Sequence, residues 1–212
     1  MSKSCYLCGA TDDLTSEHVI PKVLFPEPRP NNLITTEACR KCNEGFSKDD
    51  ALFAVWLSAS LARSNAGAWV WENKALMSIL KRSPALATQF ISDSDKADVL
   101  TVAGLAEVDI LRIPQARLER VLVRSAKGLL RVLDPSFDYE TLQFQIHRLW
   151  PSEEGVAFIR EAAATMSYLE RGTSVFRCLY GTTPEPNRSA AFVFIFYDAV
   201  GFNIFGMPRN NQ

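Results

Sequence analysis

Four of the chain's five cysteines fall in two Cys-x-x-Cys pairs, Cys5/Cys8 and Cys39/Cys42, and no other feature narrows the possible folds as much. Two such pairs supply the four thiolates of the tetrahedral shell that Zn²⁺ prefers. A shell closed by sulfur leaves no open position for a substrate, so the cysteines are expected to be structural. Chemistry must then come from polar residues held beside them. Glu17, His18 and Asn32 lie between the pairs, and Asn43 follows the last cysteine directly. The chain enters the first pair almost at once, with no apolar segment of the secretory kind. The pairs are therefore read as metal ligands in a reducing cytoplasm rather than as disulfides. Cys178 sits alone in an apolar run and is expected in the core.

The expected fold class is α+β. A small zinc-stapled ββα module occupies residues 1–50, followed by a mixed helical and antiparallel-sheet domain over 51–212. Within the module, Val19 and Ile20 form a strand-like pair stopped by Pro21, 25–32 holds three prolines and reads as a loop, and 33–36 suits a second strand. A helix begins near Arg40. Such a unit is too small to hold together unaided, and zinc is the expected staple. Beyond it, a helical linker spans 51–92, with helices at 50–62 and 71–82 separated by a breaker at 64–67. Residues 92–95 read as a polar loop. Over 98–212, sheet and helix alternate: strands at 99–102 and 108–113, a helix Gln115–Leu133 opened by Pro114, a strand at 141–150 and a helix Glu153–Thr165. Strands follow at 174–180, 190–197 and 201–205, with a turn at 184–187.

A carboxylate and an amide oxygen are hard ligands suited to Mg²⁺ or Mn²⁺. An imidazole near such an ion, but not bound to it, can take a proton from water near neutral pH. Together they make a minimal device for cleaving a phosphodiester. The run C-x-x-C, EHVIPK, NNL, CRKCN, followed by Ser47-Lys48-Asp49, resembles the His-Asn-His (HNH) endonucleases in their zinc-stabilised ββα-metal form. The likeness covers about residues 5 to 50. It implies that His18 is the general base, Glu17 and Asn43 the ligands of a catalytic Mg²⁺ or Mn²⁺, and Asn32 the middle asparagine that orients the base. It also implies a DNA substrate, a homodimer where both strands are cut, and a setting like that of bacterial restriction or phage-defence nucleases, with a defence-system protein as a further partner. The alternative is a non-catalytic zinc knuckle that binds nucleic acid or protein.

The helix after Pro114 carries Arg117, Arg120, Arg124, Lys127 and Arg131 at spacings of three and four, one basic stripe opposite Leu118, Val121, Leu122, Leu129 and Val132. Such a stripe can track phosphates or be a solvated, salt-bridged face. The net charge of −1 argues against a nonspecific nucleic-acid coat. The longest apolar run, 51–62, is too short for a membrane span, which takes about 20 residues. Glu44 and Asp49 are expected on a solvated helix face, and His147 in a structural role.

Overall fold

The computed structural model of the chain describes residues 3–60, 63–101, 104–112, 114–149, 152–183 and 188–209. β1 (Leu14–His18) and β2 (Thr35–Cys39) form an antiparallel hairpin pairing Leu14 with Cys39 and His18 with Thr35. β2 runs straight into α1 (Arg40–Gly45), so the module has the order ββα. β1 stops just before Val19 and Ile20, because both residues turn into the core and are buried there. The first part of the connecting loop is buried as well, with Leu24 and Phe25 fully covered. A buried loop needs partners for its backbone. The carbonyls of Val19, Leu24 and Phe25 accept hydrogen bonds from Ser125 Oγ at 2.9 Å, Tyr197 Oη at 2.7 Å and Lys74 Nζ at 2.6 Å.

α2 (Ser47–Ser58) follows α1 after a bend at Phe46, so the expected boundary at residue 50 falls inside a helix. Leu52 through Ser58 are all buried. A helix covered on every side is a central helix, and the other elements assemble on it. The helical break falls earlier than 64–67, since α2 ends at Ser58 and residues 65–67 already belong to the next helix. Ser64 caps α3 (Asn65–Val70), its Oγ accepting from the Gly67 amide at 3.4 Å. Gly67 allows close packing, since a Cβ there would lie 2.8 Å from Tyr197 Cγ. α3 leads into a π-helical segment, Trp71–Leu80, and then α4 (Pro84–Ser92). The polar stretch at 92–95 is not a loop, because β3 (Ser94–Thr101) begins within it and pairs with β4 (Gly104–Leu111).

α5 (Gln115–Leu133) and α6 (Glu153–Thr165) have the expected bounds. The main sheet contains β5 (Leu142–Leu149), β6 (Ser167–Arg171), β7 (Phe176–Thr183), β8 (Ser189–Phe196) and β9 (Val200–Pro208), all antiparallel, in the order β5-β9-β8-β7-β6. The edge strand β6 has no counterpart among the expected strands, and the expected turn at 184–187 lies outside the described residues. Alternation along β8 sends Phe192, Phe194 and Phe196 to the central core and Val193 to the opposite face, where it joins Ala162 of α6 and Leu179. Each buried phenylalanine contributes roughly 1.5–3 kcal/mol. The central cluster also takes in Tyr6, Val19, Ile20 and Phe25, so the N-terminal stretch shares its core with the sheet. No helix among the described residues is long and apolar enough to cross a membrane.

Candidate metal centre and the hairpin beside it

Cys5 and Cys8 sit on a tight turn in which the Cys5 amide donates to Ala10 O at 2.7 Å and the Gly9 amide to Cys5 O at 2.8 Å. Gly9 takes a φ of 75°, a left-handed conformation open to glycine. Cys39 caps α1 and Cys42 lies in its first turn, so the hairpin and the helix each bring a thiol to the knuckle. The four sulfurs all lie within 4.8 Å of one another, with Cys8 Sγ and Cys39 Sγ 3.7 Å apart. A tetrahedron with Zn–S bonds of about 2.3 Å has edges of about 3.8 Å. The cluster could therefore hold a zinc ion. Burial works against ionisation of Cys5, but backbone amides at Cys39, Leu7 and Cys8 outweigh it and bring the thiol down to about 7. Burial and the neighbouring sulfurs push Cys42 up. Thiols packed this tightly need a cation to ionise together.

Alternation along β1 separates the neighbouring motif residues. Thr15 and Glu17 share the inner face with Thr36 and Ala38, whereas Ser16 and His18 share the outer face with Thr35 and Glu37. Glu17 is 5% exposed. Its Oε1 lies 3.0 Å from Arg124 Nη1, and Arg124 Nη2 donates to Asp50 Oδ1 at 2.7 Å. Arg124 is 1% exposed and lies 4.8 Å from the centre of the Phe46 ring. A buried carboxylate and a part-buried one thus share one guanidinium. Burial pushes Glu17 up to about 7 despite the pull of Arg124, with Asp50 adding to the rise, and burial raises Asp50 as well. Asn43 reaches β1 from α1, its Nδ2 donating to Thr15 Oγ1 at 3.0 Å.

These placements bear differently on the expected catalytic ion. Asn43 spends its amide donor on Thr15, which leaves its carbonyl oxygen for a cation. Glu17 does not fit the ligand role as it stands, because its carboxylate is buried against a guanidinium. Asn32 lies exposed in the turn before β2. His18 is half-buried, and burial together with Lys22 and Arg29 lowers its pKa, which favours the neutral ring. Lys22 and Arg29 are additions to the expected site. Both stand in the quoted motif region, and the fold brings their charge to bear on the ring.

The basic stripe on α5 turns inward over its first half. Arg117 Nε lies 2.6 Å from Asp49 Oδ1, Arg120 Nη2 lies 2.5 Å from Asp49 Oδ2, and Arg124 is sealed as described. Asp49 is correspondingly buried at 3% rather than solvated. Three of the five cations therefore dock α5 against α2 and β1, and Arg124 has no surface to offer a phosphate. Lys127 and Arg131 are part-buried farther along. Glu44 is exposed, His147 is exposed on β5, and Cys178 is buried in the core. Fold and site together define a mixed α+β protein with a four-cysteine cluster near its N-terminus. No family model, curated protein or solved structure matches the chain.

Proposed function

We propose that the hairpin and α1 form the catalytic centre of an HNH-type endonuclease that hydrolyses phosphodiester bonds in DNA. The observation that carries this is the ββα order, a hairpin that sets His18 on its outer face and runs from Cys39 straight into α1 beside the four-cysteine cluster. A neutral imidazole can accept a proton from water, and Lys22 favours approach of a phosphate, whereas Arg29 is paired with Glu27 at 2.6 Å. In the reaction, His18 takes a proton from the attacking water and the new P–O bond forms. The P–O3′ bond then breaks, and the leaving oxygen is protonated from solvent. A Mg²⁺ or Mn²⁺ ion would supply charge neutralisation at the phosphate when bound; Asn43 is the residue of α1 that would hold it, reaching round the hairpin from Thr15, on the face opposite His18. Cleavage of both strands takes two chains or two successive nicks. A place in cytoplasmic phage defence, alongside a partner protein, belongs to the same proposal.

Burial of Glu17 under Arg124 favours a second reading, a zinc-stapled module without catalysis that binds nucleic acid or protein. A plasmid-cleavage assay across a Mg²⁺ and Mn²⁺ titration separates the two. The nuclease gives nicked and linear products that depend on the added ion. Intact plasmid at every concentration, with zinc bound and the protein folded, leaves the binding module.

A further inference from the structure

We propose that the cavity between α2, the π-helical segment, α4 and the start of α5 binds a small phosphate-bearing ligand of nucleotide size. Its volume is about 470 Å³, within the range of small-molecule sites. Lys48, Arg82 and Arg117 line it, and no carboxylate does. In a chain of net charge −1, composition alone does not bring three cations to one concavity. Cations gathered on a concave surface repel one another, and an entering anion removes the repulsion.

Arg117 is held from behind. Its Nε bonds Asp49 Oδ1 at 2.6 Å and its Nη2 donates to Lys48 O at 3.0 Å, while buried Asp49 stays out of the lining. Among the described residues, neither Lys48 nor Arg82 has an ion-pair partner. The remaining lining asks for more than an inorganic anion. Ile79 and Leu86 offer apolar surface for a flat ring, and the Gln89 carboxamide offers a donor and an acceptor for a base edge. Ser78 and Ile79 come from the π-helical segment, and widened turns of this kind recur at functional sites. A free nucleoside phosphate combines the charge, the ring and the size. This site does not depend on His18 being a base.

Calorimetric titration of the full-length zinc-loaded chain tests it, with ADP, AMP, inorganic phosphate and a 5′-phosphorylated hexanucleotide as probes. Two variants, Arg82→Gln and Lys48→Gln/Arg82→Gln, remove exposed charge and leave Arg117 and Asp49 in place. The expected result is that ADP binds more tightly than phosphate or the hexanucleotide, and that the double variant weakens ADP at least about tenfold with an unchanged melting midpoint. Absence of ADP binding at about 5 mM, below any useful affinity, overturns the proposal. So does equal affinity in wild type and the double variant, and tighter binding of the hexanucleotide would replace a small-molecule site with a nucleic-acid one.

Discussion

Arg124 shows how far a residue's role can lie from what its neighbours in sequence imply. Helical spacing puts it in line with Arg117, Arg120 and Lys127, and that much is legible from periodicity. Its partners Glu17 and Asp50 are distant in the chain, and no local pattern says that this side of α5 faces inward. Arg124→Met leaves buried Glu17 and part-buried Asp50 without their cation. Breaking a buried pair in this way costs about 3–5 kcal/mol. Urea denaturation should show a large fall in midpoint for Arg124→Met and little change for Lys127→Met. Glu17 adds a pH dependence of definite sign. Its folded pKa, about 7, stands above the ordinary carboxylate value of 4.5. Its contribution to stability is therefore fully present below about pH 4.5 and is lost as pH rises through about 7. Glu17→Gln cannot titrate, so its stability should decline less across that window than that of the wild type.

Elements were legible where punctuation and periodicity agreed. Pro114 and Asp134-Pro135 bracket α5, and Ser152, whose Oγ accepts from the Gly155 amide at 3.1 Å, opens α6. The same punctuation misled at 64–67, because a serine and a glycine also serve to start a helix and let it pack closely. β6, a five-residue edge strand, carries too short a pattern to stand out, and a π-helical turn has no simple periodic signature. Gly67→Ala places a Cβ 2.8 Å from Tyr197 Cγ and 2.9 Å from Arg63 Cβ. Overpacking of this kind costs about 1–3 kcal/mol. A lower urea midpoint for Gly67→Ala, with an unchanged far-ultraviolet circular dichroism spectrum, is the expected outcome. Gly128 works alike on α5, where a Cβ would meet Val19 Cγ1 at 2.9 Å.

At the scale of the molecule, the N-terminal stretch is held by hydrophobic burial and carries a four-cysteine cluster that could hold zinc, with Cys5 and Cys39 part of the same core. The cysteine cluster was legible from spacing alone, whereas the burial was not, because it depends on where α2 and the β8 phenylalanines lie. A fragment of residues 1–50 would expose Val19, Ile20, Leu24 and Phe25. It should bind zinc yet give poorly dispersed amide resonances, unlike the full chain. Cys42→Ser in the full chain should lose stoichiometric zinc and melt several degrees lower, since structural zinc contributes folding energy. The central claim is that zinc only shapes the hairpin while His18 carries the chemistry, and plasmid cleavage by His18→Ala tests it most directly, at zinc content and melting midpoint equal to wild type. Loss of a general base predicts a fall in cleavage rate of about 10²–10⁴-fold. Cleavage by His18→Ala at the wild-type rate would contradict the account.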